Sequence, residues 1–166
     1  MNDVNILVMS DTHGNRNAVS QLLSTYLDAV SAVIHLGDHS SDISPYAKNT
    51  DVEFHIVSGN TDPTVPAYTE RVIEISGKKI FITHGHKYDV KDEPDKLIYK
   101  AAELGVDAFL FGHSHKPIVF EEEGILFLNP GSTTKPAMGT ESAYALLRVS
   151  AEGKIKARLH TFRENI

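Results

Sequence analysis

Short apolar blocks along this chain stop abruptly at small or polar residues, and that punctuation sets the predicted elements. Asn5 to Met9 reads Asn-Ile-Leu-Val-Met, an apolar strand ending at Ser10-Asp11. From Asn15, apolar residues recur at spacings of three and four (Ala18, Val19, Leu22, Leu23, Tyr26, Leu27, Val30), which predicts a helix with Asn15 as its N-cap. Ala32 to Leu36 is a second strand, halted by Gly37-Asp38, and Glu53 to Val57 a third, halted by Ser58-Gly59-Asn60. Strand, helix, strand with turn residues at each strand end predicts a parallel α/β sheet.

The middle of the chain changes character. Arg71 to Ser76 and Lys79 to Thr83 flank Gly77-Lys78, predicting a hairpin turned at those two residues, with His84 directly after it. A helix is expected from about Pro94 to Leu104, carrying Leu97, Ile98, Ala101 and Leu104 on one side. Asp107 to Phe111 is another strand, ending at Gly112-His113. From Pro117 to Phe162, short strands alternate with turns at Gly124, Gly131, Gly139 and Gly153. No repeat, linker or change of composition divides the chain, so one domain over residues 1–166 is expected.

Composition narrows the function classes. With no cysteine, disulfides, thiolate metal sites and cysteine nucleophiles are excluded. A net charge of −6 and scattered lysines and arginines argue against broad nucleic-acid binding. The apolar start, Met1 to Ser10, lacks a basic flank and is too short for a signal peptide or a membrane span, so a cytoplasmic location without membrane contact is expected. A homo-oligomer is compatible with the sequence, which offers no argument for one.

The predicted strands end in a recurrent polar set: Asp11 and His13, Asp38, Asn60, His84, then His113 and His115. Singly, each is an ordinary turn former or cap. In order, each directly after a strand, they point to one crevice, because open α/β sheets bind ligands at the carboxyl ends of their strands. Imidazoles plus carboxylates without thiolate suit manganese, iron or zinc, and four histidines argue against magnesium or calcium. Paired cations of this kind form a clamp for displacement at phosphorus.

The ordered series Ser-Asp-Thr-His-Gly (10–14), Leu-Gly-Asp-His (36–39), Gly-Asn-Thr-Asp (59–62), Thr-His-Gly-His (83–86) and Gly-His-Ser-His (112–115) resembles the calcineurin-like metallophosphoesterase superfamily. The short length, Gly-Asn-x-Asp and Asn-Pro-Gly-Ser (129–132) are similar to its small bacterial and archaeal phosphodiesterase branch, over roughly residues 5 to 133. The resemblance implies an α/β fold, a β-sandwich of two mixed sheets flanked by helices on both sides in four layers (αββα). It implies two divalent metal ions, manganese first, with iron, zinc, nickel or cobalt compatible. Asp11, His13 and His115 would hold one, Asn60, His84 and His113 the other, and Asp38 would bridge them. Asp62 would orient a ligand from behind. A hydroxide bridging the ions would then attack phosphorus in line, on a small phosphoester substrate.

Two departures from the family pattern bear on catalysis. Thr61 stands where many relatives carry a histidine, which leaves His86, His39 or water to protonate the leaving group and favours diesters or activated esters. Ala137 stands where relatives carry an arginine, with Lys135 as the nearby charge. The competing expectations are a phosphomonoesterase, a nuclease, which the charge disfavours, and a protein-binding scaffold of the same fold, which a complete ligand set disfavours. His35 is expected to be an interior hydrogen-bonded residue, and His55 and His160 structural or solvated. Tyr88 and Tyr99 are candidates to line a cleft, Tyr99 fitting a helix-packing position better.

Overall fold

A computed structural model describes residues 2–63, 68–91 and 94–165. Its elements in chain order are β1 (Val4–Met9), α1 (Arg16–Tyr26), β2 (Ala32–His35), β3 (Glu53–Ile56), β4 (Glu70–Ile75) and β5 (Lys78–Thr83), then α2 (Pro94–Leu104), β6 (Ala108–Leu110), β7 (Ile118–Glu122), β8 (Ile125–Asn129), β9 (Ala143–Val149) and β10 (Ile155–Thr161). They form two five-stranded sheets, ordered β10-β9-β1-β2-β3 and β4-β5-β6-β8-β7. Both are mixed. In the first, β1, β2 and β3 run parallel, and β9 runs antiparallel to both of its neighbours, β1 and β10. In the second, β5, β6 and β8 run parallel, with β4 and β7 antiparallel at the edges.

Side-chain alternation explains the layering. Ile6 and Val8 of β1 enter the core between the sheets, while Leu7 and Met9 face Ala18, Val19, Leu22 and Leu23 of α1. A strand covered on both faces reads as an unbroken apolar run, which is how β1 appears in the sequence. In the second sheet Ile80, Ile82, Leu110 and Leu128 fill the same inter-sheet core, and Phe81, Phe109 and Phe127 turn outward to Leu97 and Ala101 of α2. Phe127 stacks on Phe120 with centroids 4.8 Å apart. The result is helix, sheet, sheet, helix, as the family resemblance implied.

Local signals placed most element ends to within a residue or two, with the end of α1 the exception. Asn15 caps α1 by accepting from the Ala18 amide at 3.0 Å. The apolar period ran on to Val30, but α1 ends at Tyr26 and a short 3-10 turn, Leu27–Ala29, follows. The β4–β5 turn falls at Ser76-Gly77, one residue earlier than expected. Both residues hold positive φ (50° and 74°), as a two-residue hairpin matching strand twist requires. Tyr99 corrects the sequence reading: it is 80% exposed. Two residues from buried Leu97, it lies about 200° around the helix from the packed face. Tyr88 does pack, against Phe81 and Phe109, and its hydroxyl donates to Glu70 at 2.7 Å.

Candidate metal centre

The polar loops follow the carboxyl ends of the parallel strands β1, β2 and β3 of one sheet and β5 and β6 of the other. Backbone bonds tie them into one rim: the Asp11 amide donates to Gly37 O and the Gly112 amide to His84 O, each at 2.9 Å. The Ser132 hydroxyl, after β8, donates to Asp11 O at 2.7 Å. Two glycines permit the approach. A Cβ on Gly59 would stand 2.1 Å from Asp38 Oδ1, and one on Gly112 would stand 2.2 Å from Ser10 Oγ.

Many of the site residues sit in the left-handed region: Asp11, His13, Asp38, His39, His113 and His115 have φ between 46° and 68°. Aspartate tolerates that region better than most residues, and histidine does too, yet such a concentration of strain is typical of functional sites.

Asp11, His13, Asp38 and His115 each offer a ligand atom, and these atoms all lie within 4.8 Å of one another. Asp11 Oδ1 is buried and makes no well-formed hydrogen bond. The Nε2 atoms of His115, His13 and His84 approach it at 3.1, 3.8 and 3.9 Å. The other oxygen, Oδ2, accepts from the Ser10 hydroxyl and the His113 amide. His84 Nε2 lies 3.1 Å from Asn60 Oδ1 and 3.4 Å from Asp38 Oδ1, and its ring is 5.1 Å from that of His113. Asp38 therefore faces both groups, with Oδ2 also 3.7 Å from His13.

Tautomers follow from the second nitrogen. His84 Nδ1 is 2.7 Å from Leu36 O, and His115 Nδ1 is 2.6 Å from Lys135 O. A carbonyl only accepts, so both rings donate from Nδ1, and in the neutral imidazole Nε2 presents a lone pair. These lone pairs face carboxylate and amide oxygens and, across 3.2 Å, another imidazole nitrogen between His13 and His115. Acceptors converging on acceptors in a buried place need a cation or shared protons between them. The donor set fits a divalent ion bound by nitrogen and oxygen.

Charge follows the same division. Burial opposes ionisation of Asp38, but the hydrogen bond and charge of His84 and the bonds from Thr61 outweigh it and hold the carboxyl well below the usual range. Burial likewise disfavours charged His84, yet Asp38 and Asp11 raise its pKa. Burial lowers His13, and burial together with the charges of His84 and Lys91 pushes His113 down to about 4.

The loops are held from behind. Asp62 accepts from the amides of Asp38 (2.9 Å), Gly59 (2.8 Å) and Ser40 (2.8 Å), joining the β2 and β3 loops. Asp42, buried and not singled out by the sequence, accepts from Thr12 Oγ1 at 2.7 Å and the Gly14 amide at 2.8 Å. No periodicity marks Asp42; only the convergence of two loops gives it partners. Asn129 donates to Gly112 O and Ser114 Oγ, giving the Asn-Pro-Gly-Ser run a role beside His113. Lys135 contributes its carbonyl to His115, whereas the sequence had drawn attention to its ammonium.

His39 and His86 flank the cluster, with ring centroids 5.5 Å from His13 and 5.6 Å from His84. His86 Nδ1 is buried without a partner. His55 bonds Glu53 and Arg71, and His160 stacks on Tyr144, both away from the site. His35 is interior as expected: Nδ1 accepts from the Gly37 amide, so Nε2 donates to Thr12 Oγ1.

Burial pushes the His35 pKa down from 6.5 to about 4, against the pull of Asp11, Asp62 and Asp42. The unfolded chain binds a proton below 6.5 that the folded chain refuses until about 4. Stability is thus full above that window and falls as pH drops through it, by up to about 3 kcal/mol. In urea unfolding of chelated protein at several pH values, His35→Gln is expected to remove this part of the slope. An identical slope in the variant would show that His35 is not its source.

The pattern of the calcineurin-like phosphoesterase superfamily domain matches residues 4–152. Among curated proteins, the probable metallophosphoesterase YsnB of Bacillus subtilis is 32% identical over 149 residues, covering 87% of this chain and 83% of its own. A crystal structure of a predicted phosphoesterase from Streptococcus pneumoniae superposes with a TM-score of 0.83 at 34% identity, covering 97% of this chain and 91% of that one. Vacuolar protein sorting 29 of Cryptosporidium parvum shares the fold at a TM-score of 0.77 and 24% identity, covering 96% of this chain and 98% of its own. Matched over most of its length in sequence and in fold, this chain belongs to the calcineurin-like phosphoesterase superfamily.

Proposed function

We propose that this chain is a phosphodiesterase that hydrolyses a small phosphoester at two divalent cations, working as a single domain in the cytoplasm. Asp11, His13 and His115 hold one ion, Asn60, His84 and His113 the other, and Asp38 both; manganese is the first candidate. The observation that carries the reading is the buried, unbonded Asp11 Oδ1, approached by three imidazole nitrogens within 3.9 Å. When bound, such ions lower the pKa of a shared water and neutralise charge on the phosphoryl oxygens.

The chain supplies the rest. Leu36 O and Lys135 O orient His84 and His115, and Asp62 holds the loop of Asp38, as supporting partners of metal ligands do. His86 and His39 are the nearest groups able to pass a proton to the leaving oxygen. With Thr61 between Asn60 and Asp62, no imidazole enters from that loop, which favours diesters and esters with acidic alcohols. Thr61→His is therefore expected to raise turnover of esters with poor leaving groups by about tenfold or more. Equal rates on alkyl and nitrophenyl esters, before and after the change, would place the proton donor elsewhere.

The likeness to vacuolar protein sorting 29 supports a second reading, a protein-binding scaffold. Hydrolysis of a chromogenic diester and its monoester by manganese-reloaded protein separates the readings. Metal-dependent diester turnover supports the phosphodiesterase, and a faster monoester makes it a phosphatase. No bound metal on elemental analysis and no turnover favour the scaffold.

A further inference from the structure

Beside the metal centre lies a groove of about 340 Å³ whose occupant the ligand set does not explain. Its wall includes Ser114, the residue between His113 and His115, so the groove lies next to the loop that carries two of the proposed ligands. Buried Leu97 and Phe111 line it together with Phe120 and Ile118, and Ile118 is 38% exposed. Lys91 and Lys116 also line it, two cations on a chain of net charge −6.

That combination has a chemical meaning. A concave, mostly apolar surface with a few charged groups is the usual form of a small-molecule site, and this volume falls at the lower end of that class. Aromatic side chains at 111 and 120 favour a flat ring over an alkyl chain. The lysines favour a negative charge on that ring in addition to the phosphoryl group. We infer that the groove binds one organic group of the phosphoester, and that it selects an aromatic group carrying a further anionic substituent. The inference rests on the phosphodiesterase reading for what sits at the metals, and it adds the substrate class.

The test is direct binding, so that it stands apart from turnover. Manganese-loaded protein is titrated calorimetrically with methylphosphonate, phenylphosphonate and 4-phosphonobenzoate, whose carbon–phosphorus bonds are not hydrolysed. Phenylphosphonate is expected to bind about tenfold tighter than methylphosphonate, and 4-phosphonobenzoate tighter again. Ile118→Asp should abolish the preference for the ring, and Lys116→Glu the added preference for the carboxylate. Val119→Asp makes the same change one residue along β7, where the side chain points to the opposite face, and both preferences should survive it.

Equal affinity for the three ligands in the wild-type protein would overturn the inference. So would preferences that persist in both groove variants, or metal-loaded protein that binds none of the ligands. Diester hydrolysis is measured on the same samples. Preference without turnover would keep the groove and remove the hydrolase; turnover without preference would do the reverse.

Discussion

Asp38→Ala is expected to lower diester turnover by about 10³-fold or more and to reduce bound manganese from two ions per chain to one or none. Asp38 turns a different carboxylate oxygen to each half of the cluster: Oδ2 is 3.7 Å from His13, and Oδ1 is 3.4 Å from His84. Its carboxyl is held ionised well below the usual range, so it offers charge at any working pH. Alanine would leave His84 without the partner that raises its pKa and would leave two cations to repel each other unscreened. Elemental analysis and diester kinetics check this together. Two retained ions with near wild-type rate would refute the assignment of Asp38. Because the Asp38 side chain also accepts the Thr61 amide at 3.1 Å, a circular dichroism melt is needed alongside.

Asp62→Ala should have the second largest effect, with a different signature. Asp62 touches no proposed ligand atom but accepts three backbone amides that shape the loops carrying Asp38 and Asn60. Removing it strips a charged acceptor from all three at once. The expected loss is about 3 kcal/mol of stability, since bonds to charged groups contribute roughly 1.5–3 kcal/mol each and water recovers part of the loss. Manganese affinity should fall about 10- to 100-fold, the usual penalty for removing a ligand's supporting partner. Excess metal should therefore restore much of the turnover in Asp62→Ala, and none in Asp38→Ala. Failure of added manganese to rescue Asp62→Ala would mean that the loop has collapsed or that Asp62 has a direct role.

The two variants also mark what was readable. Asp38 and Asp62 were both visible as residues following apolar strands, because a strand that stops at Gly-Asp or Gly-Asn announces itself within a few positions. Asp42 was not, since it lies in a short 3-10 turn and becomes important only through Thr12 and Gly14, some 28 to 30 residues away. Tyr99 was misread because helical period identifies a face by counting apolar residues, and an aromatic can sit outside that face. The hairpin turn slipped by one because Ser76 takes a positive φ that its residue type does not advertise.

By itself the sequence determined the order of strands and helices, the absence of thiolate chemistry, and the kind of ligands at each strand end. Those properties are local: apolar period, turn residues and side-chain chemistry act over a few positions. That two separate sheets stack was implied only by the family resemblance and by no local pattern, and the tertiary structure brings the loops after β1, β2 and β3 against those after β5 and β6. It also decided which imidazole nitrogens point inward, through carbonyls at Leu36 and Lys135 that no motif specifies. Such contacts depend on how buried surfaces fit across a hundred residues of chain, as between Asp11 and His113, and that fit is a property of the whole core.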